Sequence, residues 1–370
     1  MPQADAIGLA HTRCACIAMK GNAMHTRIST FLLALAIHAA PTLAAAQPDQ
    51  TPAKVDAGDP TLNVETRSFV LHDSDRDKDL PIRVVYPETF TTDGPVPTII
   101  FSHGAGGSGN FYNPLVFEWA SLGYIVILPT HSDSLVGVAS PESSTRGERL
   151  REALKRRRAG ERGVDGLDFT DWANRPRDVS FIIDQFDEIE SRIPAIEDRI
   201  DHDRVGVGGH SYGAFTAQLI GGTDPLGPGE FADARVQCVL LISPQGVGGL
   251  LTESSWDAFV GPALTISGDN DEGRNGEPAV WRREGFDRSP DDTHTLMWID
   301  DAYHNFGGIS GRILPGADQG PENPEHVRYV QHATHAFWDH HLRDLSGDVD
   351  AFADDLRDAF ENEPIEIENN

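Results

Sequence analysis

The feature that most constrains this chain is a set of short apolar runs that do not alternate. Thr98-Ile99-Ile100-Phe101, Tyr124-Ile125-Val126-Ile127-Leu128, Val236 to Ile242, Ala263-Leu264-Thr265-Ile266 and Thr295-Leu296-Met297-Trp298-Ile299 are apolar almost throughout. A strand with one wet face alternates apolar and polar residues, whereas a strand covered on both faces has no reason to. Ile82 to Tyr86 does alternate and reads as an early strand, and Val205 to Gly208 as a short one. Helical spacing fills the intervals. It is seen over Phe111 to Ser121, over Arg177 to Ile189 (Val179, Ile182, Ile183, Phe186), over Tyr212 to Ile220, and over Pro324 to Leu342 (Val327, Val330, Ala333, Phe337, Trp338). Strands alternating with helices predict an α/β fold, a mostly parallel central sheet with helices on both faces. At 370 residues and 39% hydrophobic composition, the chain has material for one large core.

The ends read differently from the middle. Arg27, the apolar run Phe31 to Ile37, Pro41 and Ala44-Ala45-Ala46 have the order of a cleavable signal peptide. The run is too short to cross a bilayer. Residues 1–46 are therefore expected to be removed near Ala46, leaving a secreted or periplasmic protein without a stable membrane anchor. Residues 47–60 read as a linker, 61–345 as the folded domain, and 346–370, with Asp348, Asp350, Asp354, Asp355, Asp358, Glu361, Glu363, Glu366 and Glu368, as an acidic, partly disordered tail. Within the domain, the long polar stretch 132–175 between a strand and a helix is a candidate lid. Its Lys155-Arg156-Arg157-Arg158 run reads as a solvated face. The formal charge of −28 argues against nucleic acid as a partner. Cys14 and Cys16 precede the expected cleavage point, so Cys238, in an apolar run, is left as a core residue without a disulfide partner.

Chemistry is concentrated in Gly209-His210-Ser211-Tyr212-Gly213, which follows a strand and precedes a helix. That context turns a common pentapeptide into a nucleophile elbow: a sharp turn presents the Ser211 hydroxyl at the end of the sheet. The helix start places the Tyr212 N–H where negative charge would develop. A serine hydroxyl needs a base. His304 follows the last apolar strand, whereas His294 precedes it, and His332, His335, His340 and His341 lie on the terminal helix. The base needs a carboxylate to hold its tautomer. Asp271, three residues after Gly268, is preferred for this, with Asp269 as its rival. The glycine-rich loop Ser102 to Gly109 follows a strand and lets backbone approach a reacting group. It lacks a P-loop ending, and the histidines show no metal-binding spacing, so neither a cofactor nor a metal is expected.

These motifs resemble those of the α/β-hydrolase superfamily over about residues 60–343, and within it the platelet-activating-factor acetylhydrolase and dienelactone-hydrolase-like esterases. The resemblance is carried by Phe101 to Gly106, Arg175 to Val179, Gly209 to Gly213 and His304 to Phe306. It implies that Ala105, after the His-Gly pair, donates the second oxyanion hydrogen bond. It also implies a catalytic set of Ser211, Asp271 and His304 acting on small-molecule or lipid esters through an acyl-enzyme. Two departures narrow this. In mammalian acetylhydrolases the acid follows the sixth strand, where this chain has Ser243, and dienelactone hydrolases proper commonly carry a cysteine nucleophile. A peptidase or amidase of the same fold, or a binding protein that kept the fold without the chemistry, are the alternatives. Oligomeric state is not legible in the sequence.

Overall fold

The computed structural model describes residues 62–135, 172–225, 231–311 and 319–370. The expected signal segment 1–46, the linker 47–60 and all but the two ends of the candidate lid 132–175 lie outside the described residues. The described chain forms a nine-stranded sheet in the order β1-β2-β4-β3-β5-β6-β7-β8-β9. The strands are β1 (Val64–Asp73), β2 (Lys78–Pro87), β3 (Val96–Ser102), β4 (Ile125–Pro129), β5 (Ile200–His210), β6 (Val236–Ile242), β7 (Ala263–Asn270), β8 (His294–Tyr303) and β9 (Ile365–Asn369). From β4 to β8 every neighbour is parallel, and the edge pairs β1–β2, β2–β4 and β8–β9 are antiparallel. This is the mostly parallel α/β sheet that the unalternating runs imply.

Why the central runs do not alternate is visible in the packing. Ile100, Ile127, Val207 and Leu241 belong to one buried cluster, together with Val179, Ile182 and Phe215. Their strand neighbours Ile99, Val126, Leu240 and Ile242 belong to a second cluster, with Trp119, Val330 and Phe337. The sheet thus divides two cores. Helices α2 (Asn174–Asp184), α3 (Phe186–Arg192) and α4 (Tyr212–Ile220) cover one face. Helices α1 (Asn113–Ser121), α6 (Pro324–Trp338) and α7 (Val349–Ala359) cover the other, and a short α5 (Glu284–Arg288) precedes β8. The start of α6 is set locally: Pro324 takes the first helical position and the Asn323 side chain accepts the N–H groups of Glu325 and His326. The single helix expected over Arg177 to Ile189 is two, because Gln185 leaves helical geometry at φ −107, ψ 14.

One expectation is overturned. The segment 346–370 is not a disordered tail but α7 followed by β9, which pairs antiparallel with β8 through Ile365↔Ile299 and Ile367↔Met297. Its acids conceal an apolar stripe. Val349, Phe352, Leu356 and Phe360 recur at helical spacing and are at most 5% exposed. A charge count weighs the wet face and overlooks the narrow buried one. Cys238 is a free, buried thiol in β6.

Candidate active site

The loops that leave β3, β5, β7 and β8 carry the residues singled out in the sequence. Ser211 stands between β5 and α4 at φ 59, ψ −117, a conformation that L-residues avoid. Its two flanking glycines are required by space. A Cβ on Gly209 would lie 2.2 Å from the Gly213 carbonyl carbon, and one on Gly213 would lie 1.9 Å from the Ser102 carbonyl oxygen. The strained turn and the close approach of the β3 loop therefore depend on each other.

Ser211 Oγ lies 2.9 Å from His304 Nε2, and His304 Nδ1 lies 2.8 Å from Asp271 Oδ1. With the carboxylate as acceptor, Nδ1 carries the proton and Nε2 is the free base facing the hydroxyl. The three residues form a relay from a half-buried serine to a carboxylate with no exposure. Burial would push the Asp271 carboxyl up, but the Arg282 guanidinium, then His304 and hydrogen bonds from neighbours hold it well below the usual carboxylate range. Ser267 Oγ donates to Asp271 Oδ2 at 2.9 Å, and Ser243 Oγ donates to Oδ1 at 2.9 Å. Arg282 Nε lies 3.4 Å from Oδ1, and its guanidinium also donates to carbonyls of Pro244, Asp271 and Glu272.

The rival acid is directed elsewhere. The β7–β8 register shifts between Gly268 and Asn270, and the Asp271 N–H closes a turn onto the Gly268 carbonyl at 3.1 Å. That turn sends Asp271 inward. Asp269 instead accepts the Trp298 indole N–H at 2.8 Å and the Asp301 N–H at 3.2 Å. His294 sits buried between Thr265 and Ser289, away from the relay.

Several participants were not singled out by motif reading. Ser243 directly follows β6 at φ 56, and its Oγ is also 2.8 Å from His304 Nδ1. His210, next to the serine, ties two loops together. The Gly104 N–H donates to Tyr112 Oη at 3.1 Å, Tyr112 Oη–H donates to His210 Nδ1 at 3.0 Å, and His210 Nε2–H donates to the His304 carbonyl at 2.7 Å. Burial, and after it the nearby His304, push His210 down to about 3, so it stays neutral and keeps this tautomer. The only sequence signal for it was its place inside the elbow.

The two expected oxyanion donors lie on the loops that leave β5 and β3. The Tyr212 N–H belongs to the first turn of α4, immediately after Ser211. Ala105 lies half-buried in the β3 loop, and among the described residues no acceptor takes its N–H. Beneath that loop a buried polar network joins it to the rest of the molecule. Ser102 Oγ is 2.8 Å from His131 Nε2, and His131 Nδ1 is 2.9 Å from Asp178 Oδ2. This has the spacing of a second serine–histidine–carboxylate relay, yet all three residues are at most 1% exposed, so no substrate reaches it. Lys78 and Arg76 pair with Asp178 and offset its charge. One carboxylate–imidazole group among the described residues, Asp187, Glu190 and His202, gathers ligand atoms within 4.8 Å. It contains none of the relay residues, and Glu190 already accepts the N–H groups of Arg199 and Ile200.

A family model of platelet-activating factor acetylhydrolase, isoform II, matches residues 77–160, well under half of the chain. No curated protein sequence matches significantly. Two solved structures are similar over most of the length. A ferulic acid esterase from Streptomyces cinnamoneus shares 17% identity at a TM-score of 0.54, over 79% of this chain and 93% of that one. A protein from Klebsiella pneumoniae subsp. pneumoniae, assigned as a dienelactone hydrolase, shares 14% identity at a TM-score of 0.50, over 75% of this chain and 98% of that one. At such identities the likeness is one of fold.

Proposed function

We propose, from the premise that this chain has the α/β-hydrolase fold, that it is an exported serine hydrolase cleaving carboxylic esters through an acyl-enzyme. The observation that carries this reading is the relay of Ser211, His304 and Asp271, at 2.9 and 2.8 Å, on a strained elbow. His304 Nε2 takes the Ser211 proton as Oγ attacks the ester carbonyl carbon. The carbonyl oxygen becomes an oxyanion held by the N–H groups of Ala105 and Tyr212. Asp271 stabilises the imidazolium, which then protonates the departing alcohol. Water, deprotonated by the same nitrogen, attacks the acyl-enzyme, and the acid leaves as Ser211 regains its proton.

Esters are favoured over amides because the matching family model is that of an acetylhydrolase and the structural neighbours bear the names of an esterase and a lactone hydrolase. Export is supported by the order of basic, apolar and small residues between Arg27 and Ala46. The test is a panel of p-nitrophenyl esters of graded acyl length beside peptide anilides, with wild type and Ser211→Ala. Ester turnover that falls by about 10⁶ in the variant is expected. Preference for the anilides would turn the reading to an amidase. Ester turnover within tenfold of wild type in clean variant protein would reject Ser211 as the nucleophile.

A further inference from the structure

Against the loop that carries Ala105 and the ring of Tyr212 lies a buried guanidinium that the mechanism above does not use. Arg175, at the start of α2, is 2% exposed. Its fork meets Asp133 in two parallel bonds, Nε to Oδ1 at 3.0 Å and Nη2 to Oδ2 at 2.8 Å. Nη1 donates to the His103 carbonyl at 2.7 Å and to Ser102 Oγ at 3.4 Å, and Nη2 reaches the Gly104 carbonyl at 3.5 Å. Asp133 Oδ2 in turn accepts the Gly106 N–H at 3.0 Å. The guanidinium carbon stands 4.3 Å from the centre of the Tyr212 ring. One side chain and its carboxylate partner therefore grip the residues on both sides of Ala105 and also the side chain of Tyr212.

The peptide between Gly104 and Ala105 explains what this grip can do. A trans peptide is planar, so its C=O and N–H point in opposite directions. The Gly104 carbonyl accepts from His103 Nδ1–H at 2.7 Å and from the Gly107 N–H at 3.0 Å, besides the longer approach of Arg175. His103 is held in that tautomer because its Nε2 accepts the His131 N–H at 3.0 Å. Fixing the carbonyl on the buried side aims the Ala105 N–H the other way. The loop packs directly on the elbow, as the Cβ that Gly213 cannot accommodate shows: it would lie 2.9 Å from the His103 carbonyl oxygen. A burial this deep for an arginine is costly unless each donor is met, and here the fork meets a carboxylate and backbone carbonyls.

We infer that Arg175, paired with Asp133, is a positioning residue that sets the aim of the oxyanion hole. The inference rests on the proposed serine-hydrolase reading. It predicts a defect confined to the tetrahedral state, because the guanidinium is buried and bonds to the loop backbone and Asp133 rather than to any relay residue.

The experiment compares wild type, Arg175→Lys, which keeps the charge but loses the fork, and Asp133→Asn, which keeps the shape but loses the charge. Active-site titration with a fluorophosphonate counts competent sites, and kcat is expressed per site. The expected result is a fall of about 10- to 100-fold in kcat, less than the loss of a whole donor. KM should stay within about threefold, and the pH profile of kcat/KM should keep the wild-type midpoint for the base. Affinity for a trifluoromethyl ketone, whose adduct carries the oxyanion, should fall in the same ratio as kcat. If per-site kcat is unchanged while the titrated fraction and Tm drop, the pair is structural only and the inference is overturned. A kcat and KM that change together, with no loss of ketone affinity, overturn it as well. Should Arg175→Lys not fold, Asp133→Asn carries the same test alone. Wild type that neither hydrolyses esters nor reacts at Ser211 would instead dismiss the parent reading.

Discussion

At the residue scale, the two aspartates of the β7 turn offer the sharpest contrast. They are two positions apart, yet one faces His304 and the other the Trp298 indole. Asp271→Asn is expected to lower turnover by about 10⁴, because the amide would favour the wrong imidazole tautomer and leave the imidazolium without its counter-charge. Asp269→Asn keeps one oxygen acceptor and should retain most activity, with Tm lowered slightly. Steady-state kinetics on both variants decide the assignment; the reverse order would move the acid to Asp269. Gly213 supplies a second residue-scale test. A methyl group there would meet the Ser102 carbonyl oxygen at 1.9 Å, backbone against backbone, so nothing flexible can yield. Gly213→Ala should be inactive and markedly less stable, whereas Ala214→Gly, one position along, should unfold only slightly earlier. A Gly213→Ala protein with wild-type Tm and turnover would mean that the loop and the elbow are not packed as described.

At the scale of elements, the surprise is the C-terminal segment. Phe352 is 1% exposed and its ring lies 5.6 Å from that of Phe337 on α6. Phe352→Ala should cost about 3–5 kcal/mol in denaturant unfolding, the range for large aromatic truncations in a core. β9 adds a hydrogen-bonded edge to β8, and Arg283 forks onto Glu368 at 2.8 and 3.0 Å. Deleting 346–370 would bare both the apolar face under α7 and the β8 edge, so the truncated protein should aggregate or melt well below wild type. An unchanged melting curve would restore the reading of a loose tail. The elements most legible in the sequence were those with apolar residues on every side, such as β6 over Val236–Ile242 and α4 over Tyr212–Ile220. β1, α7 and β9 were missed because each buries only a narrow stripe, and alternation or helical spacing among many charges is a weak signal.

At the scale of the whole molecule, buried histidines set an acid limit. Burial first, then the charge of Arg175, pushes His131 down to about 4. Burial alone pushes His294 to about 3, His210 is near 3, and His103 lies well below its ordinary value, again through burial first and Arg175 second. In the unfolded chain these imidazoles take up protons as pH falls through about 6.5, while the folded chain keeps them neutral. Their contribution is therefore complete above that pH and is lost as pH falls toward the folded values, at about 1.4 kcal/mol per pH unit for each. Asp178 acts at the lower end. Burial raises its carboxyl, but the hydrogen bond from His131 and the charge of Lys78 hold it near 2, so its share is lost between about pH 4 and 2. Thermal melts should be nearly flat from pH 8 to 7, fall steadily below about 6.5 and go on falling below 4. A Tm unchanged down to pH 4.5 would contradict the buried neutral state of these rings.

What the sequence determined by itself was whatever depends on order along the chain: an α/β fold from unalternating runs, and the places of Ser211, the glycine-rich loop and His304, each just beyond a strand. A strand's end is where a parallel sheet collects its loops, so position relative to a strand is already position relative to the site. Tertiary structure alone decided what depends on approach between distant segments. It turned Asp271 inward and Asp269 outward where the β7–β8 register slips by two residues, and it brought Ser243 and Arg282 to the buried carboxylate. It also joined Asp133 and Arg175 beneath the glycine-rich loop across 42 positions of sequence. Buried polar groups must find partners wherever the fold supplies them, and that demand leaves no periodic trace in the residues that meet it.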